Sequence, residues 1–174
     1  MTNLIDTSRL ARRGETLRGE CTVEQLPRLA TLLASAVGGI EWRARGWRDE
    51  RPEGGHDDFL ELSFSATLQP ACVRCLEPVA VPVADTRRYR LVDTEDDAER
   101  LDPDDDDYDV LAGGPRFDLD ALIEDEAILA LPPMPRHEHC ESARPLGDGA
   151  PATEEREKPF AALQRLRRNG PSGG

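Results

Sequence analysis

Hydrophobic and polar residues alternate most cleanly between positions 59 and 70. In FLELSFSATLQP, Leu60, Leu62, Phe64, Ala66 and Leu68 fall on one side of an extended chain, and Phe59, Glu61, Ser63 and Ser65 on the other. A period of two over that length predicts a strand with one buried face. Weaker strands are predicted at 16–23 (TLRGECTV), at 39–47 (GIEWRARGW, with Ile40, Trp42 and Ala44 inward) and at 79–92 (VAVPVADTRRYRLV). Pro82 inside the last of these has no N–H to offer a ladder, which predicts a sheet edge or a bulge. RDERPEGGHDD, 48–58, carries Gly, Pro and charge without an apolar period, so it reads as a turn or loop.

Two segments carry a helical period instead. In EQLPRLATLLASAV, 24–37, Leu26, Leu29, Leu33 and Val37 make one apolar face. Thr22 and Gln25 fit a capping box ahead of it, and Pro27, just past the first turn, removes a hydrogen bond. In DLDALIEDEAILALP, 118–132, Asp118 is placed to cap, Asp120 sits near the positive end of the macrodipole, and Pro132–Pro133 stop the helix. Leu119, Leu122, Ile123, Ala127 and Ala130 form its buried stripe, which leaves Glu124, Asp125 and Glu126 on the exposed side.

Charge changes the picture more than length does. The 174 residues suit one domain with appendages, on a core of roughly 100–120 residues. The net charge is −13, and residues 93–109 hold eleven acidic residues and one basic one. Such a block reads as a solvated loop, or as a docking surface for something basic. A broad nucleic-acid-binding surface is disfavoured on a chain so acidic. The stretch after Cys140 reads as a flexible tail, 141–174. Within it, 159–168 is a short basic amphipathic segment: Phe160, Leu163 and Leu166 recur every three residues beside Arg165, Arg167 and Arg168. That segment is either a frayed or core-docked end, or a contact that folds on a partner with its arginines near phosphate. The N-terminus lacks the apolar core of a secretory signal, and the longest mostly apolar run, 29–40, is too short to span a bilayer. The expectation is a cytoplasmic protein with no membrane partner. In that reducing compartment four cysteines favour metal ligation or free thiols over disulfides.

The cysteine pattern carries the candidate chemistry. Cys72-x-x-Cys75 lies at the tip of the hairpin between the strands at 59–70 and 79–92. His137-x-x-Cys140 follows the second helix. Thiolates and imidazole suit Zn²⁺, and four protein ligands make a closed, structural site that would staple the hairpin tip to the helix end. His137 is preferred to His139, because a residue adjacent to another ligand rarely reaches the same ion. Buried or idle thiols are the alternative. Cys21, in a strand pattern, reads as a small buried apolar residue. Zinc-deaminase chemistry wants H-x-E ahead of P-C-x-x-C, which is absent here. Thioredoxin-like chemistry wants C-x-x-C opening a helix, whereas CVRCLEPVAV leads into a strand.

CVRCLEPV, then DLDALIEDEAILALPPMPRHEHC, then KPFAALQRLRR occur in the order seen in the YceD family, and the chain resembles that family from about residue 18 to residue 168. The resemblance implies a small non-enzymatic protein needed for 23S ribosomal RNA accumulation or processing, linked to large-subunit assembly. It implies no catalytic residue and no small-molecule substrate. The fold expected is α+β: an antiparallel sheet with two packed helices, an acidic loop at 93–109 and a flexible C-terminal tail, with 1–13 as a lead-in and 14–140 as the domain. The partner expected is a basic ribosomal protein, or pre-rRNA of the large subunit, with the chain as adaptor or chaperone. Residues proposed to meet it are Arg74, Glu124, Asp125 and Glu126, and in the tail Phe160, Leu163, Arg165, Leu166, Arg167 and Arg168. Two rivals remain: direct RNA binding through the tail arginines and a hairpin tip carrying Arg74 with Arg87 and Arg88 near it, and a zinc-dependent enzyme of unknown type.

Overall fold

The computed structural model describes residues 3–101 and 107–140. Among them the backbone is mixed α+β. A short strand β1 (Leu4–Ile5) leads into helix α1 (Thr7–Arg13), then strand β2 (Thr16–Thr22), a 3-10 turn (Val23–Gln25) and helix α2 (Pro27–Leu32). Strands β3 (Leu33–Ser35), β4 (Gly39–Glu50), β5 (His56–Pro70) and β6 (Val81–Val92) follow. After them come helix α3 (Glu95–Leu101), strands β7 (Asp109–Ala112) and β8 (Phe117–Asp118), and helix α4 (Leu119–Leu129).

The main sheet has the order β2-β4-β5-β6-β7, with β3 paired to the far end of β5; β1 and β8 form a separate pair. The main sheet is antiparallel except at β6–β7, where Tyr89–Val92 run parallel to Asp109–Ala112. Pro82 is exposed on the part of β6 that β7 does not reach, so the edge expectation holds. The core lies on the face that carries Ile40, Ala44, Leu60, Leu62 and Tyr89, all buried. Helix α1 lies on that face against β4, so closely that a Cβ on Gly46 would stand 2.7 Å from the backbone of Leu10 and Ala11. Only glycine allows that approach. Leu10 and Ala11 are buried beneath it. Asp6 accepts the N–H of Arg9 at 2.9 Å to start α1, and Gly14 at φ 62° ends it. Helix α4 packs on the same face against β5 and β6, and α2 packs on α4. Among the described residues no helix is long and apolar enough to cross a membrane.

Several expectations are corrected. Among the described residues four α-helices are present rather than two. The lead-in, 1–13, contains α1, which supplies core residues. The helix expected over 24–37 is a 3-10 turn and six residues of α2; Leu26 and Leu29 are buried, but Val37 is 72% exposed. Pairing of Leu33 with Pro70 and of Ser35 with Gln69 draws the rest of that segment into a strand. Tertiary pairing overrides the local period here. Pro27 stands at the helix start, where its missing N–H is harmless, and Gln25 Oε1 accepts the N–H of Thr22 at 2.8 Å as a capping box requires. The loop expected over 48–58 shrinks to a tight turn because β4 and β5 run on through charged residues held by Arg48–Asp58 at 2.5 Å and by Arg51–Asp57. The acidic segment is not all loop. Thr94 Oγ1 accepts the N–H of Asp97 at 3.1 Å, Glu95, Asp96 and Asp97 sit at the positive end of the dipole, and Ala98 is buried under α3. Its residues 102–106 lie outside the described residues, as does the tail, 141–174.

Candidate functional site

The β5–β6 hairpin ends in a knuckle. Its base is set by Val79 N–H to Pro70 O at 2.9 Å and Cys72 N–H to Glu77 O at 2.8 Å; Leu76 N–H to Cys72 O at 2.9 Å closes the turn. Leu76 holds φ 64°, a left-handed value with a penalty for a leucine, and its side chain is 76% exposed. The turn folds the chain around Cys72, so that the N–H groups of Cys75 and Arg74 point at its sulfur. The segment after α4 returns to the same place, where Val73 N–H meets Pro135 O at 2.9 Å.

The result is a four-residue cluster from two segments. Cys72 Sγ lies 3.7 Å from Cys140 Sγ, and Cys75 Sγ lies 3.5 Å from His137 Nδ1. All four donor atoms lie within 4.8 Å of one another, a group able to hold a metal ion. The fit is quantitative. Metal–sulfur and metal–nitrogen bonds of about 2.3 and 2.05 Å at tetrahedral angles require S···S near roughly 3.8 Å and S···N near roughly 3.6 Å. His137 Nε2 lies 3.0 Å from Pro78 O. A carbonyl only accepts, so the proton sits on Nε2 and the lone pair of Nδ1 faces the sulfurs. His139 is not part of the cluster, as its adjacency to Cys140 predicts.

Cys72 and Cys140 are shifted in opposite directions. The N–H groups of Cys75 and Arg74, joined by that of His137, pull Cys72 from 9.0 down to about 5 against the opposing effect of burial. Burial and the neighbouring Cys75 and Cys72 push Cys140 up to about 11. One thiolate suppresses the next at these distances, and a cation at the centre removes that conflict. Cys21 stands apart. It is buried, 3.9 Å from Ile40 O, and burial raises its thiol to about 11, as expected of a small apolar residue.

The acidic face of α4 is corrected. Only Asp125 is exposed; Glu124 and Glu126 are 4% and 7% exposed. Glu124 accepts the N–H groups of Arg28 and Leu29 at 2.6 and 3.0 Å, capping α2 from another helix, and takes Arg28 Nε at 2.8 Å. Asp125 pairs with Arg28 at 2.6 Å. Glu126 accepts the hydroxyl of Tyr89 at 2.7 Å, and its second oxygen lies 3.5 Å from Arg87 Nε. A strict helical wheel misses this, because apolar spacing cannot show that the neighbouring surface offers backbone N–H and phenol donors. Arg87 and Arg88 are corrected as well. They sit opposite Leu62 and Glu61, roughly 20 Å along β6 from Val81, rather than at the hairpin tip with Arg74. The expected contact residues Phe160, Leu163, Arg165, Leu166, Arg167 and Arg168 lie outside the described residues. Sequence reading also missed Pro78 O and the backbone donors to Cys72. The signal available for them was the C-x-x-C turn itself.

The family model described as Large ribosomal RNA subunit accumulation protein YceD matches residues 60–167, from β5 through all four residues of the Cys/His cluster and beyond. No solved structure matches the chain.

Proposed function

The chain belongs to the YceD family of large ribosomal RNA subunit accumulation proteins, and from that membership we propose that it acts as a non-enzymatic adaptor in large-subunit assembly, holding or delivering a basic ribosomal protein in the cytoplasm. The family match over residues 60–167 is the observation that carries the role in rRNA accumulation. The adaptor step rests on charge. Glu95, Asp96 and Glu99 are exposed on α3, the sequence adds Asp102 and Asp104–Asp107, and Asp125 stands on α4. Such a field attracts basic protein extensions and speeds their encounter. Glu124 and Glu126 leave the proposed contact because their carboxylates are used inside the domain. Arg74 and the segment with Phe160, Leu163, Arg165, Leu166, Arg167 and Arg168 remain as a second contact, which would gain from effective concentration on the tail.

Cys72, Cys75, His137 and Cys140 would hold structural Zn²⁺. Three thiols and an imidazole fill a tetrahedron, so no coordination position stays open for a water or substrate, and the metal supplies cross-linking rather than catalysis. The chain's own part is to present three sulfurs and Nδ1, and to fix the histidine through Pro78 O.

The test is titration of the intact chain with purified basic large-subunit ribosomal proteins over a range of salt. Binding that weakens with salt, and weakens further when Glu95, Asp96 and Glu99 are changed together to amides, supports the adaptor. Affinity for bare rRNA fragments with none for any basic ribosomal protein contradicts it.

A further inference from the structure

The sheet has an open face opposite the helices, and it carries a charge pattern that folding does not explain. Outward positions along β4 are Glu41, Arg43, Arg45 and Trp47. The register sets Arg18 of β2 directly opposite Arg43, with Ser63 and then Thr86 beyond it in the same row. Arg18, Arg43 and Arg45 are exposed, and among the described residues none has a carboxylate at ion-pairing distance. Like charges directly opposite each other on an antiparallel pair destabilise it. The acid beside Arg45, Glu61, is already held by Arg88 at 3.1 Å. Beside Arg18 and Arg43 the floor is built of short side chains, Ser63, Ser65, Ala84 and Thr86, in an open trough of about 620 Å³ that Glu41 and Asp85 also line and that does not extend to Arg45 or Trp47. One step further along β4, Trp47 is half-buried, its ring stacked on Phe59 with centroids 5.1 Å and planes 12° apart.

We propose that this face binds single-stranded RNA, with Arg18, Arg43 and Arg45 on phosphates and Trp47 as the platform for one base. Arginines in a groove beside a rigid aromatic ring are the combination that tracks an unpaired strand, because every base has a stackable face. A duplex offers no free base to Trp47. The hydroxyls of Ser63 and Thr86, in the row of Arg18 and Arg43, are placed to meet a 2′-hydroxyl, which favours RNA over DNA. The chain's overall acidity does not forbid it. Helix α3 packs on β7, three strands from β4, roughly 14 Å away, and charges beyond about 8 Å are largely screened at physiological salt; the acidic segment comes nearer at Tyr108, whose ring centroid lies 4.8 Å from that of Phe59. Nearer acids close both ends, Glu20 opposite Glu41 at one and Asp49, which accepts the Trp47 indole N–H at 3.3 Å, at the other. The contact is therefore a short one, with phosphates on Arg18, Arg43 and Arg45 and a single base on the ring face of Trp47. The proposal uses none of the residues of the adaptor reading and stands without it.

The experiment is anisotropy of a short labelled oligouridine with the intact, metal-loaded chain over a salt series. The expected slope of log affinity against log salt is about −2, from three phosphates at about 0.7 each. Arg43→Ala with Arg45→Ala, both exposed, should lower affinity about tenfold or more and bring the slope to about −0.7, with a melting temperature that holds or rises as the repulsion between Arg18 and Arg43 is removed. The chain has two tryptophans and Trp42 is buried, so quenching of intrinsic fluorescence reports Trp47. Trp47→Phe should abolish that quenching while keeping most of the affinity. Absence of binding, equal binding of the deoxy strand, or loss of binding on changing Arg165, Arg167 and Arg168 with no loss from the sheet variant would each overturn the proposal.

Discussion

The carboxylate of Glu124 accepts the backbone N–H of Leu29 at 3.0 Å, across 95 positions of sequence. One side chain on α4 thus closes the open N-terminus of α2 and fixes how the two helices cross. Glu124→Ala orphans the buried N–H of Leu29 and the part-buried N–H of Arg28 and is expected to destabilise the domain by about 2–3 kcal/mol, a buried charged acceptor being worth more than an exposed cap. Glu124→Gln restores an acceptor but turns an amide donor towards Arg28, and should lose less. Urea unfolding measures both, through a shifted midpoint at unchanged slope.

Tyr89 and Glu126 are the second buried polar pair. Tyr89→Phe leaves that carboxylate with only Arg87 nearby, and is expected to cost about 1–2 kcal/mol at neutral pH. Burial, then the hydrogen bond to Glu126, raises the phenol above its ordinary 10.0. A group whose pKa is raised by folding stabilises fully below its unfolded value and loses that contribution as pH climbs through the folded one. Stability of the wild-type protein should therefore fall from about pH 10 upward, and the Phe variant should show a flatter alkaline limb.

Asp57 sets the acid limb. Arg51, and then Arg90, hold its carboxyl from 3.8 down to about 2, against burial. A lowered carboxyl contributes stability above pH 3.8 and loses it as pH falls towards 2. Arg51 is half exposed, so screening leaves about 1 kcal/mol. Asp57→Asn should remove that step from a stability profile between pH 4 and pH 2, and its persistence would show that other carboxyls carry the acid transition.

Strands β2, β4, β5 and β6 were legible, β5 most clearly because Leu60, Leu62, Phe64 and Leu68 alternate without interruption, whereas the short strands β1, β3, β7 and β8 were not. The ends of β4 and β5 were not, because Arg48, Arg51, Asp57 and Asp58 hold them by charge pairs that no apolar period reveals. Helix α1 was hidden for a similar reason. Only Leu10 and Ala11 of its residues are deeply buried and apolar, too few for a stripe. The two halves of the Cys/His cluster were legible as C-x-x-C and H-x-x-C spacings, and their meeting followed from a hairpin tip and a helix end that pack together. The buried roles of Glu124 and Glu126 were illegible, since an acidic residue on a helix reads as solvated unless its partner's position is known. Arg18 opposite Arg43 needs the register of β2 on β4, which alternation alone does not supply.

Metal removal should show the staple directly. One Zn²⁺ per chain is expected by elemental analysis, lost on chelation or in Cys72→Ser, Cys140→Ser and His137→Ala, with a fall in melting temperature of more than about 5 °C. Cys21→Ser should keep its zinc. A chain without metal whose melting curve ignores chelators would reduce the cluster to packed thiols.

The adaptor account is tested most directly by affinity purification of the intact tagged protein from its own cells at moderate salt, with and without nuclease, identifying the proteins and RNA retained. The account predicts a basic large-subunit ribosomal protein that stays bound after nuclease treatment, at near-equal stoichiometry, and large-subunit pre-rRNA in the untreated sample. Retention of RNA alone, with every ribosomal protein lost once the RNA is digested, would contradict it.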